Sequence, residues 1–470
     1  MSDKIPLQDI SDMAPAEVCE VDLYQKREKI YTRKIEGFFQ RIRLLTGWPL
    51  LAGYFLLPWL NWGDRQSVLF DLPARQFHIL GLTFWPQDMS LLAWVLIIAA
   101  WSLFFITVWA GRVWCGYTCP QTVWTSMFMW AEQFAEGTRN QRIKLDNAPI
   151  SFNKIWRKSF KQAMWLGIAF VTGVTFIGYF YPIRSLIPDL MSLEVNHWAA
   201  AFILFFTVAT YINAGYLREQ VCIYMCPYAR FQSVMFDADT LIVSYNPERG
   251  EPRGARKRHE TKPDTLGDCI DCDLCVQVCP TGIDIRNGLQ IECITCALCI
   301  DACNSVMDKM GYDKGLISYT SENALKGKKT HWFRPRLVGY GVAILVMIIA
   351  FGIRIYTRIP LEVDVTRDRN TLFSTNSMGL IENTYTLKII NMDNQTHLFE
   401  VKATGIEALS MIGRETINAA PGEIVELPLR LVADPAFLKK TSTTIEFIVS
   451  STDGQLSHTT ESRFLGPRTM

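Results

Sequence analysis

Residues 269–303 read CIDCDLCVQVCPTGIDIRNGLQIECITCALCIDAC, and the eight cysteines in this stretch decide what kind of chain this is. Cys269, Cys272, Cys275 and Cys279 are followed by Cys293, Cys296, Cys299 and Cys303, each set spaced C-x2-C-x2-C-x3-C. A [4Fe–4S] cube needs three thiolates folded around one corner by tight loops and a fourth from elsewhere. In two-cluster ferredoxins the fourth Cys of each run ligates the other cluster. The expected pairing is therefore crossed, with Cys269, Cys272, Cys275 and Cys303 on one cluster and Cys293, Cys296, Cys299 and Cys279 on the other. Zinc modules present separated C-x2-C pairs, which this pattern does not match. Asn304 stands where the first run has Pro280, a change of turn shape and not of ligand. Asp268, Asp271, Asp273, Asp284, Glu292 and Asp301 surround the runs with negative charge that could tune a potential or dock a partner, or form a plain solvated face.

Outward from this module the chain turns apolar. Its 470 residues exceed what one core organises, and 49% are hydrophobic against 20% charged, with a mean hydropathy of +0.11. A soluble domain carries about 25% charge, so a membrane protein with soluble parts is expected, and disorder is excluded. A formal charge of +1 excludes a globally basic nucleic-acid binder. Clustering of the 13 cysteines argues for metal ligation in a reducing compartment rather than a disulfide scaffold. Five stretches are apolar enough and long enough to cross a hydrocarbon core, which takes roughly 20 helical residues: Leu44 to Trp62, Met89 to Ala110, Ala163 to Tyr181, Trp198 to Leu217 and Leu337 to Ile353. The last looks like a lone tether. Lys and Arg crowd the residues before the first stretch, between the second and third, and between the fourth and fifth. By the positive-inside rule the N-terminus and the cysteine module then face the cytoplasm and the C-terminal region lies outside. Residues 1–43 lack the apolar core of a signal peptide.

The expected organisation is a multi-pass α-helical membrane protein with an inserted ferredoxin-like α+β module and a C-terminal immunoglobulin-like all-β sandwich. It divides into a tail (1–43), a four-helix membrane domain (44–245), the ferredoxin-like domain (246–336), a fifth span (337–357) and the β domain (358–470). Residues 246–262, NPERGEPRGARKRHETK, read as a linker or surface loop, whose Arg256, Lys257 and Arg258 could touch anionic lipid. Alternating runs at Tyr385 to Ile390, Ile424 to Leu431 and Thr444 to Val449, separated by turn residues, carry the sandwich expectation.

A second motif is duplicated. Cys115-Gly-Tyr-Thr-Cys119-Pro120 follows the second apolar stretch, Cys222-Ile-Tyr-Met-Cys226-Pro227 follows the fourth, and Ser126 and Ser233 keep the same offset. Positions four apart share a helix face, and the prolines could break the chain at a membrane boundary. If spans two and four are neighbours, four sulfurs converge on the side of the ferredoxin module. Four soft ligands suit Cu(I), a further Fe–S cluster or dithiol–disulfide chemistry, whereas free buried cysteines would simply pack as small hydrophobes. His78 and His197, with Met89 and Met191, fall on the outer side and could bind copper or an axially ligated haem, or serve as interfacial residues. Cys19 has no partner at ligand spacing. No G-x-G-x-x-G follows a strand, which argues against a nucleotide cofactor bound by this chain.

The stretches KREKIYTRKIEGFFQRIR, FHILGLTFWPQD, GRVWCGYTCPQTVW, REQVCIYMCPYARFQSVM, the RGEPRG loop, both cysteine runs and the β-domain occur in one order over nearly the whole chain. In this the chain resembles the FixG/CcoG-type (RdxA) accessory proteins of cbb3-type cytochrome c oxidase. The resemblance implies a polyferredoxin of the bacterial inner membrane with a periplasmic C-terminal domain, carrying two [4Fe–4S] clusters and reducing Cu(II) to Cu(I) for oxidase assembly. Electrons would pass from the clusters toward Cys115, Cys119, Cys222 and Cys226, where copper is reduced or held. The implied partners are oxidase subunits, copper chaperones or transporters, the lipid bilayer and an electron donor that no motif identifies, with homo-oligomerisation left open. Two rivals stand beside it: a quinol-oxidising polyferredoxin of the NapH kind, which lacks the outer β-domain, and a non-enzymatic redox-sensing scaffold.

Overall fold

The computed structural model describes residues 29–257, 263, 265–368, 372–393, 395–438, 440–454 and 456–467. Four helices among them are long and apolar enough to cross a membrane: Pro86–Ala110, Phe152–Ile177, His197–Leu217 and Pro335–Tyr356. The first of the five expected stretches is not among them. It forms the helix Phe38–Leu56, which carries Arg41 and Arg43 near its start and Pro49 inside. A 3-10 turn at Leu57–Trp59 and a short strand at Asn61–Trp62 then consume the rest of the apolar run. Helix Phe152–Ile177 starts well before Ala163 because Ser151 caps it, accepting from the Lys154 N–H.

Two helix pairs organise the layer. Helix 152–177 packs along helix 197–210, where a Cβ on Gly173 would come within 2.8 Å of Thr207 Oγ1. Helix 335–356 runs along helix 89–110, with the Trp101 and Tyr340 rings 5.5 Å apart. The fifth stretch is therefore not a lone tether, and the second and fourth stretches have other main partners than each other.

The two ends of this layer differ. At one end Val68–Asp71, Gln76–Ile79 and Leu82–Phe84 form a three-stranded meander, hydrogen-bonded to the layer through Phe70 N–H and Tyr179 O. The C-terminal sandwich sits at the same end. Its sheets have strand orders 410–412, 424–433, 381–391, 361–367 and 416–419, 397–404, 442–451, 457–465, with 374–375 added to strand 381–391. Alternate residues Tyr385, Leu387 and Ile389 meet Phe399, Val401, Ile445 and Phe447 in its core, as a period of two requires.

The cysteine module occupies the opposite end. Strand Ile242–Tyr245 pairs antiparallel with Ile317–Thr320, so the module takes in buried residues placed on the membrane side of the boundary expected at 246. The RGEPRG stretch is not a free linker. Its Arg249 O, Pro252 O and Gly254 N–H bond Asp268 N–H, Gly267 N–H and Cys269 O, wrapping the first cysteine loop. Arg256 donates to Tyr312 Oη and Gly267 O rather than facing lipid; Arg258 lies outside the described residues.

Candidate functional site

Both cysteine runs coil in the same way. Asp271 and Asp273 flank Cys272, and Thr295 and Ala297 flank Cys296, all four with φ between 51° and 60°. Non-glycine residues adopt this left-handed conformation at a cost, and doing so at matched positions curls each loop around a centre. Cys269, Cys272, Cys275 and Cys303 line one hollow. Cys279, Cys293, Cys296 and Cys299 line another, which Cys275 also borders. Burial pushes the Cys275, Cys303 and Cys293 thiols up to about 12, so thiolates persist there only against cationic ligands. Soft donors around two hollows, all but the exposed Cys272 buried or half-buried, fit iron–sulfur clusters and offer hard cations nothing.

The duplicated motif is a structural repeat. Helix 89–110 breaks at Gly111 (φ 58°), a short helix Val113–Tyr117 carries Cys115, and Cys119 is the N-cap of helix Pro120–Glu136. Likewise helix 197–210 continues as a π-helix, Tyr211–Leu217, and breaks at Arg218 (φ 43°). A π-turn, Val221–Met225, then carries Cys222, and Cys226 is the N-cap of helix Pro227–Met235. The paired cysteines therefore do not share one helix face. Pro120 and Pro227 start helices rather than break them, because a proline at the first helical position lacks only an N–H that has no partner there. Ser126 and Ser233 donate to Val123 O and Arg230 O within their own helices.

The four sulfurs nonetheless gather. Cys115 feels the charge of Cys119, Cys222 and Cys226, and Cys222 that of Cys119 and Cys226. Burial pushes the Cys115 thiol up to about 12 and Cys222 to about 11, and raises Cys119. Helix Pro227–Met235 does the gathering, since Tyr228 Oη donates to Leu103 O and Gln232 Nε2 to Thr107 Oγ1 on helix 89–110. Among the described residues no three His, Cys, Asp or Glu side chains form a cage for a single ion.

This quartet abuts the second cysteine cavity. Cys115 packs with Val278, Ile294, Cys296 and Leu298, and a Cβ on Gly116 would lie 2.7 Å from Ile294 O and 2.9 Å from Cys296 Cα. Arg112 is 5% exposed and donates to Ile291 O and Ala229 O. The motif reading assigned no role to either residue, although Arg112 and Gly116 bracket Cys115 in the sequence.

The acidic residues are largely committed. Asp271, Asp273 and Asp284 converge on Arg286 at 2.6, 2.6 and 2.7 Å, and Asp268 pairs with Arg249 at 2.6 Å. Asp301 accepts from Phe39 and Gln40 N–H, capping helix 38–56 from across the module. His78 is buried in the meander, with Nδ1 3.1 Å from Thr83 Oγ1, and its pKa is lowered by burial. His197, Met89 and Met191 are exposed at helix ends. Among the described residues no three His, Cys, Asp or Glu side chains gather at this end either. Cys19 lies outside the described residues.

A buried ion network went unforeseen. Glu132 and Glu136, one turn apart on helix 120–136, are fully buried with Arg142. Glu132 meets Arg218 at 2.8 Å and Arg142 at 3.4 Å, and Glu136 meets Lys158 at 2.9 Å and Lys161 at 3.1 Å. The available signal was the i,i+4 carboxylate pair sharing a face with Phe128 and Ala131.

Residues 217–322 match the family described as a 4Fe-4S dicluster domain, and residues 351–467 match the IG-like fold at the C-terminus of FixG. The nitrogen fixation protein FixG of Rhizobium meliloti is 41% identical, covering 83% of this chain and 82% of that protein. RdxA and RdxB of Cereibacter sphaeroides are 40% and 38% identical, over 85% and 86% of this chain and 86% and 87% of theirs. A solved structure of a FixG-related protein from Vibrio parahaemolyticus is 40% identical over 23% of this chain and 95% of its own, with a TM-score of 0.21.

Proposed function

Because this chain belongs to the FixG/RdxA family, we propose that it is a multi-pass membrane electron-transfer protein that reduces Cu(II) to Cu(I) for assembly of cbb3-type oxidase. In this reading Cys269, Cys272, Cys275 and Cys303 hold one [4Fe–4S] cluster, Cys279, Cys293, Cys296 and Cys299 the other, and the module faces the cytoplasm with the sandwich in the periplasm. A bound cluster supplies electrons one at a time, at potentials that reach well below those of copper. Cys115, Cys119, Cys222 and Cys226 receive copper as substrate, and each Cu(II) takes up one electron to become Cu(I), which soft sulfur ligands favour. The observation that carries the reading is the contact of the thiol quartet with the second cysteine loop through Gly116. Electrons would then have a short path from module to quartet, and Cu(I) would pass on to a chaperone, a transporter or the oxidase itself.

The test is anaerobic. Reduced, cluster-loaded protein is mixed with Cu(II) and a Cu(I)-specific chromogenic chelator, and compared with a Cys115/Cys119/Cys222/Cys226 quadruple Ser variant of equal iron content. Faster Cu(I) formation by the wild type is expected; equal rates would remove the quartet from the reaction. One observation favours the quinol-oxidising reading. A cavity of about 330 Å³, lined by Lys161, Trp165, Tyr216 and Arg218, reaches Pro280 beside Cys279. Quinol-dependent cluster bleaching with no Cu(I) formed would decide for it.

A further inference from the structure

Arg112 follows Gly111 directly, at the break that ends helix 89–110. Burying a guanidinium is costly unless anionic or hydrogen-bonding groups compensate it. Arg112 has two main-chain acceptors, Ile291 O on the second cysteine loop and Ala229 O on the helix that Cys226 caps. Among the described residues it forms no ion pair with a carboxylate, whereas Arg286, beside the first cavity, is matched by Asp271, Asp273 and Asp284. Cysteines surround it in the chain: Ile291 stands two residues before Cys293, Ala229 three after Cys226 and Arg112 itself three before Cys115, and its charge is felt at Cys115, Cys222 and Cys293. Arg43, which donates to Gly116 O and acts on Cys296, adds positive charge on the same side.

We propose that Arg112 is a positioning residue that clamps the second cysteine loop to the thiol quartet and is the shared counter-ion of both. Thiolate-bound clusters are anionic and gain a further negative charge on reduction, so an unmatched buried cation beside one of them raises its potential. The first cluster has no such advantage, because carboxylates cancel the field of Arg286. Electrons entering the module therefore settle on the cluster nearest the quartet. This rests on the assignment of two clusters to the eight cysteines, and not on copper being the substrate.

The test uses full-length, cluster-loaded protein in detergent without copper. Iron and sulfide content establish the two clusters first. EPR-monitored titration or film voltammetry of Arg112→Gln is expected to move one of two one-electron waves to lower potential and leave the other in place. Waves that both stay, or that shift together, would overturn the counter-ion role. Arg112→Lys keeps the charge but cannot span both carbonyls, so its waves should stay near wild type. Maleimide labelling of Cys115 and Cys222, read by mass spectrometry, should meanwhile accelerate several-fold in this variant. Unchanged labelling would overturn the clamp. Should Arg112→Gln lose its clusters, Arg112→Lys decides both roles: its labelling decides the clamp, and a wave that falls although the charge is kept overturns the counter-ion.

Discussion

A methyl group at position 116 would stand 2.7 Å from Ile294 O and 2.9 Å from Cys296 Cα, main-chain atoms that cannot rotate away. Gly116→Ala is therefore expected to push the second cysteine loop off the helical layer, at about 1–3 kcal/mol. The readouts are a lower melting temperature and a changed EPR signal from one cluster. Asp301 makes the opposite case. Its carboxylate is spent on two N–H groups at the start of helix 38–56, so Asp301→Ala should cost about 0.5–2 kcal/mol as a lost cap while the iron–sulfur potentials stay within error. A potential shift comparable to that of Arg112→Gln would restore the tuning role suggested by the acidic composition. Gly37 records the same contact, since a Cβ there would meet Asp301 Cγ at 2.2 Å.

Helix 120–136 shows how an element can mislead when read alone. Its last turn and the residues beyond, AEQFAEGTRNQRIKLD, have the charge density of a solvated loop, yet Glu132, Glu136 and Arg142 are fully buried. Beside Arg142 from the same stretch, the partners are Lys158 and Lys161 on helix 152–177 and Arg218, which is more than 70 positions away in the chain, and no local pattern announces those three. Burial pushes the Glu132 carboxyl up, but Arg218 and Arg142 outweigh it and hold the group below the usual carboxylate range. A carboxylate depressed on folding stabilises fully above its ordinary pKa and loses that contribution as pH falls through the lowered value. Glu132→Gln leaves two guanidinium groups short of a partner and should destabilise by about 3–5 kcal/mol at pH 7. The gap in melting temperature between wild type and variant should close toward acid; a gap independent of pH would deny the network its ionic character.

The whole molecule is joined twice. At the cysteine end, residues before helix 38–56 bind the module through Arg33 N–H and Gln277 O. At the other end, Arg358 Nη2 lies 2.6 Å from Asp88 Oδ2, and Trp85 packs on Ile390 and Met392 of the sandwich. Arg358→Ala should loosen the sandwich, seen as faster proteolysis near residues 357–361, with iron content and cluster absorbance unchanged. Concurrent loss of iron would mean that the two ends are coupled through the helical layer.

What the sequence determined by itself is whatever depends on spacing. Two C-x2-C-x2-C-x3-C runs announce cluster loops because thiols must recur at turn intervals. The duplicated C-x3-C-P announces a structural repeat, though not that its prolines start helices, and alternation announces a sandwich. Tertiary structure alone decided what depends on distant parts of the chain approaching one another. It paired helix 335–356 with 89–110, packed helix 227–235 against 89–110 so that Cys222 and Cys226 reach Cys115 and Cys119, and brought Gly116 and Arg112 against the second cysteine loop. Hydrogen-bond geometry along the backbone is local and leaves a periodic trace in the residues. The cost of burying a charge is met by whichever partner the fold delivers, and it leaves none.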